Sequence, residues 1–110
     1  MNWKVNYLPE AAKDLKALAG NQQILVRKAI QKVSQNPLPM EEGGYGKPLG
    51  HKSGTNLTGF LKIKLRGAGI RVVYKLERSE TGMTVIVIGI REDDEVYDLA
   101  SKRIEKHDLR

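Results

Sequence analysis

Hydrophobic positions recur every second residue at the start of the chain and in its second half, and every third or fourth residue in between and at the end. Residues 2–7 place Trp3, Val5 and Tyr7 on one side and predict a short strand. From Pro9, suited to a first helical turn, Leu8, Ala11, Ala12, Leu15, Leu18 and Ala19 follow at helical spacing. Gly20-Asn21 ends that helix. A second, about residues 22–35, carries Leu25, Val26, Ala29, Ile30 and Val33 as one stripe, and Asn36-Pro37-Leu38-Pro39 stops it. So short a connection predicts an antiparallel helical hairpin laid on a sheet. Residues 40–59 are rich in glycine, with Pro48, Ser53 and Thr55, and predict a loop. Three strands follow at 60–66, 70–77 and 83–90, joined closely enough for an antiparallel meander. Val85-Ile86-Val87-Ile88 is apolar on both faces and predicts the central strand. Asp93 or Asp94 can cap a last helix over residues 95–107, with Val96, Leu99, Ala100 and Ile104 inward. The order β-α-α-β-β-β-α predicts an α+β fold over residues 1–110 as one domain: an antiparallel β-sheet with an N-terminal helical hairpin packed on it and a C-terminal helix.

The strand at 60–66 also carries chemistry. Alternation sends Leu61, Ile63 and Leu65 to one face and Lys62, Lys64 and Arg66 to the other. Like charges on one strand face repel unless water or an anion lies over them. Between Phe60 and Lys75 there are five cationic side chains and no acidic one, which marks a candidate phosphate-binding surface. The next strand adds a parity condition. An even number of unpaired residues after Arg66 places Arg71 on the face of Lys62 and Lys64, and a two-residue turn sets it across from Lys64. An odd number drives Arg71 among the apolar side chains, where an unpartnered guanidinium is costly. The even case is expected.

Composition narrows the classes. The formal net charge of +6 and pI near 9.7 favour an anionic partner, nucleic acid first. The excess lies in the first three quarters, because acids and bases nearly balance from Arg91 onward. The absence of cysteine excludes disulfides, thiolate catalysis and cysteine-ligated metals. No apolar run approaches membrane-spanning length, and the start Met1-Asn2-Trp3-Lys4-Val5 lacks a signal peptide's apolar stretch. A cytoplasmic protein with no membrane partner is expected.

Lys-Ile-Lys-Leu-Arg at 62–66, a glycine, Arg71-Val72-Val73-Tyr74, an apolar strand, Arg91 and Glu95-Val96-Tyr97 together resemble the RelE-type toxins, ribosome-dependent mRNA interferases of the RelE/ParE superfamily. The resemblance covers nearly the whole chain. It implies the toxin of a type II toxin–antitoxin system, held inactive by a cognate RelB-like antitoxin. It also implies endonucleolytic cleavage of mRNA in the ribosomal A site, by attack of a ribose 2′-hydroxyl on its neighbouring phosphate, without metal or cofactor. By the same resemblance Lys64 is the candidate general base, and Lys62 positions it or stabilises the phosphate. Arg71 stabilises charge on the scissile phosphate. Arg91 contacts the phosphate or protonates the leaving oxygen, and Tyr97 stacks on or orients the nucleotide. Lysine can serve as a base where neighbouring cations disfavour its protonated form, a condition that Lys62 and Lys64 side by side meet. The two histidines, His51 and His107, stand in a glycine-rich loop and near the C-terminus, placements that do not favour a two-histidine mechanism. Arg66 and Lys75, with Lys13, Lys16, Arg27, Lys28 and Lys32 on the helices, are candidates for ribosomal RNA phosphates. Two other readings remain: a ParE-like inhibitor of DNA gyrase without nuclease activity, a branch that typically lacks the lysine pair and the tyrosine, and a catalytically inert RNA-binding module.

Overall fold

The computed structural model describes residues 2–52, 54–90 and 93–110. Three helices and five strands follow in the order β1 (Lys4–Tyr7), α1 (Pro9–Ala17), α2 (Gly20–Val33), β2 (Lys47–Lys52), β3 (Thr55–Leu65), β4 (Ile70–Glu77), β5 (Gly82–Gly89) and α3 (Asp93–Lys106). The strands form one sheet in the order β1-β5-β4-β3-β2. The meander β3-β4-β5 is antiparallel, as its short connections require, whereas β1 joins the outside of β5 in parallel. The α+β order read from the sequence is present with one further strand.

That strand lies in residues 40–59, expected as loop. Met40–Glu42 is a 3-10 turn, Lys47–Lys52 is the edge strand β2, and Thr55 begins β3. Alternation was masked there because β2 and β3 pair around a bulge: Pro48 opposes Leu61 but Gly50 opposes Leu57, and Gly59 absorbs the extra length at a φ of 91°. Two smaller corrections concern helix ends and strand order. Gly20 starts α2 instead of closing α1, because Gln22 and the Ala19 N–H form a local cap at 3.2 Å. The strand apolar on both faces is β5, which is interior, while β4 is central.

Strand pairing sorts the side chains into two faces. Leu61, Ile63, Val72 and Tyr74 face α2 and the segment after it, where the buried Tyr74 hydroxyl donates to the Pro37 carbonyl at 2.8 Å. The opposite face takes α3, whose Val96, Tyr97, Ala100 and Ile104 are buried. β5 has a bulge at Ile86, since Val73 opposes Val87 and Tyr74 opposes Val85. The bulge brings Gly89 under α3, where a Cβ would lie 3.1 Å from the Val96 side chain.

Beyond Val85 the outer edge of β5 has no strand beside it. Asp14 of α1 and Arg103 of α3 complete it: the Ile88 N–H donates to Asp14 Oδ2 at 3.0 Å, and Arg103 Nη1 donates to the Ile86 carbonyl at 3.0 Å and to Asp14 Oδ2 at 2.6 Å. Further along, Glu10 accepts from Lys106 Nζ at 2.9 Å and meets His107 Nε2 at 3.0 Å. These hydrogen bonds from Lys106 and His107 hold the Glu10 carboxyl down at about 2. Among the described residues no helix is long and apolar enough to cross a membrane.

Two measurements follow from these ties. Arg103→Ala leaves a half-buried Asp14 carboxylate and an open β5 edge, and should cost on the order of 3 kcal/mol in urea unfolding; a loss within ~0.5 kcal/mol would show that water replaces the guanidinium. Because its folded pKa lies below its unfolded value, Glu10 contributes stability that is present above about pH 4.5 and lost as pH falls towards 2. Glu10→Gln should therefore flatten the fall in urea midpoint across that window, and an unchanged acid limb would count against the tie.

Candidate functional site

The register of β3 and β4 decides the site. Lys64 stands opposite Arg71 and Lys62 opposite Val73, with pairing closed by Leu65 and Ile70. Residues 66–69 make the turn, an even number, with Gly69 at a φ of 68°. Directly opposed residues share a face, so Lys62, Lys64 and Arg71 stand together, as the parity condition expected. Pairing extends the face in two cross-strand rows. One runs Lys47, Lys62, Val73, Val87 and the other Lys64, Arg71, Gly89.

Lys47 is thus a further cation on this face, which also takes Lys75 opposite Phe60, and it lies about 5 Å in Cα spacing from Lys62. Sequence reasoning passed over it because it lay in the expected loop; the available signal was its lysine two residues after Tyr45 and just before Pro48, a residue tolerated at sheet edges.

Gly89 leaves room at the end of the second row, and α3 descends onto the first. Tyr97, in the second turn of α3, is 2% exposed. Lys62 Nζ donates to the Tyr97 hydroxyl at 3.4 Å and lies 5.9 Å from the ring centroid, a long hydrogen bond reinforced by a cation–π contact. Thr55 donates to Oδ1 of the next residue, Asp98, at 3.2 Å, so α3 is fastened to β3 through two adjacent residues. Arg71 bends back, its Nη1 donating to the Gly69 carbonyl at 3.1 Å, which aims the guanidinium along the turn. Tyr97 therefore takes the place of a helix–sheet junction residue here: its hydroxyl orients Lys62, while its ring is covered.

Arg91 lies outside the described residues. Arg66 is exposed in the turn, and Lys75 is half-buried, 3.5 Å from Glu77. Lys13, Lys16, Arg27, Lys28 and Lys32 are exposed on α1 and α2, and Lys32 alone of these lines a cavity together with Lys62 and Lys64. The histidines stay apart: His51 is exposed, paired with Asn56 at the end of β2, and His107 closes on Glu10.

A mixed sheet with helices on both faces thus gathers Lys47, Lys62, Lys64 and Arg71 on the side of the last helix. No protein-family model matches the chain. A RelE-like toxin protein of Escherichia coli is 30% identical over 107 residues, 94% of this chain and 99% of that protein. The mRNA interferase toxin RelE of Escherichia coli strain K12 is 49% identical over 43 residues, 39% of this chain and 45% of that protein. Among solved structures, a doubly substituted E. coli toxin RelE in the free state superposes with a TM-score of 0.73 at 27% identity, over 94% of this chain and 99% of that one. The same toxin bound to a peptide of antitoxin RelB gives a TM-score of 0.67 at 27% identity, with the same coverage. The chain belongs to the RelE family of toxins.

Since its ring burial is retained and the bond to Lys62 is long, Tyr97→Phe should change stability by less than about 1 kcal/mol, measured by urea unfolding. A larger loss would mean that the hydroxyl holds α3 in place.

Proposed function

We propose that this protein is the toxin of a type II toxin–antitoxin pair and cuts mRNA in the ribosomal A site as a ribosome-dependent endoribonuclease. The observation that carries the reading is the placement of Lys64 opposite Arg71, with Lys62 alongside on the same face and held by Tyr97. Relatives bearing the mRNA interferase name support the reaction.

Cleavage of this kind needs a base for the 2′-hydroxyl, an acid for the departing 5′-oxygen, and positive charge over the crowded phosphorane. In the proposed sequence the 2′-oxygen forms a bond to the adjacent phosphorus and its proton passes to Lys64. The bond from phosphorus to the 5′-oxygen breaks, and that oxygen takes a proton. The products are a 2′,3′-cyclic phosphate and a 5′-hydroxyl. Lys62 and Arg71 bear on the non-bridging oxygens, and Arg91 contacts the phosphate or delivers the proton to the leaving oxygen. The chain's own cations supply the charge stabilisation, so no step is assigned to a metal or cofactor. Tyr97 orients Lys62 through its hydroxyl; stacking on a nucleotide requires the first turns of α3 to lift from the sheet, because the ring is buried.

An acidic antitoxin segment of the RelB kind is the expected inhibitor, since a face carrying Lys47, Lys62, Lys64 and Arg71 attracts opposite charge. RelE bound to a RelB peptide supports this partner.

Primer extension on a defined mRNA with programmed ribosomes tests the reading. Discrete A-site cuts should appear only with ribosomes, and Lys64→Ala should slow them roughly 10²- to 10⁴-fold without loss of fold. Intact mRNA in every condition, from folded and antitoxin-free protein, would sink the nuclease assignment.

A further inference from the structure

Tyr45 is the aromatic side chain that the fold leaves outside. Trp3 and Tyr7 are partly covered and Phe60, Tyr74 and Tyr97 are buried, whereas Tyr45 is 48% exposed. Its backbone is nevertheless held on both sides. The Tyr45 N–H donates to the Asn36 carbonyl at 2.9 Å, the Gly44 N–H to Pro39 at 3.1 Å and the Gly46 N–H to Leu38 at 2.9 Å. Side chains at the flanking positions are excluded: a Cβ on Gly44 would collide with the Leu38 backbone, and one on Gly46 with the Tyr74 hydroxyl. An aromatic ring displayed on so fixed a support loses little freedom when another ring stacks on it.

The ring borders a cavity of about 240 Å³ at the edge of β3, past the point where β2 begins. Lys32, Lys47, Lys62 and Lys64 line it together with Tyr45 and apolar side chains of α2 and β3, and no acidic residue does. The Lys32 ammonium lies over the Tyr45 ring, 5.4 Å from its centroid. Lys62 and Lys64 belong both to this cavity and to the face beneath Tyr97, so the two are contiguous.

We propose that Tyr45, Lys32 and Lys47 form a second subsite for single-stranded RNA, in which a base of the mRNA next to the cut stacks on Tyr45 and its phosphate lies on the lysines. The inference rests on the interferase reading and extends it along the strand. An aromatic platform among cations is how proteins hold unpaired nucleotides without reading their sequence. Continuity with Lys62 and Lys64 favours the mRNA already seated there over a separate RNA.

Single-turnover cleavage on programmed ribosomes, with abasic nucleotides placed one at a time on either side of the cut, tests the subsite. For the wild-type protein, one position should slow cleavage by about 5- to 150-fold when its base is removed, the range for one lost base–aromatic stack. In Tyr45→Ala the intact mRNA should be slowed by a similar factor and the same abasic position should cost nothing more, while Tyr45→Phe should behave as wild type. Tyr45→Ala cutting like an active wild type overturns the subsite and leaves the nuclease reading intact. Slowing by Tyr45→Ala with no coupled abasic position overturns the mRNA assignment and points to ribosomal RNA. A wild type that cuts nothing overturns the nuclease reading and this one with it.

Discussion

The register between β3 and β4 is the constraint on which the rest of the molecule depends. Six opposed pairs from Phe60–Lys75 to Leu65–Ile70 put Leu61, Ile63 and Leu65 on the α2 face and Lys62 and Lys64 on the other. A slip by one residue would exchange the two sets, burying Lys62 and Lys64 under α2 and exposing Leu61 and Ile63. Uncompensated burial of two ammonium groups costs far more than a single domain's net stability. The arrangement that makes the fold possible is therefore the one that gathers the cations. Site and core are two sides of one pairing.

Closure of the sheet's opposite flank is a matter of side chains. β1 covers β5 only up to Val85, and the edge beyond it is completed by a helix from each end of the chain, through Asp14 and Arg103. This arrangement joins α1 to α3 across the rim of the sheet without a further strand. It also anchors the C-terminal half of α3 independently of its first turns, which are fastened to β3 by weaker contacts at Tyr97 and Asp98. The two halves of that helix are held by different chemistry, one half-buried and ionic, the other by long hydrogen bonds.

What the sequence disclosed follows from the range of the forces involved. Alternation in 60–66 and 70–77 is local, and the even turn follows from the cost of burying Arg71, so the lysine–arginine face is legible in the sequence itself. The edge strand β2 was not, because glycine and proline hide its alternation and its pairing depends on a bulge made in β3 by Gly59. Lys47 was lost with it. The Asp14–Arg103 pair spans 89 positions and leaves no periodic trace. Tyr97 shows the limit most clearly: its type and spacing pointed to the site, but whether its ring is open or covered is set by how closely α3 approaches the sheet, which Gly89 at the end of β5 allows.

The form of β2 has a consequence for how the chain behaves among copies of itself. An outer strand with unpaired backbone groups invites another molecule to add on, and a sheet with two such borders can grow into an aggregate. Here one border, β1, is four residues long, and the other is interrupted by Pro48, distorted by the bulge and bracketed in sequence by Lys47 and Lys52. Like charges then meet whenever two such borders approach. The same lysine that extends the cationic face thus discourages edge-to-edge self-association at high local concentration.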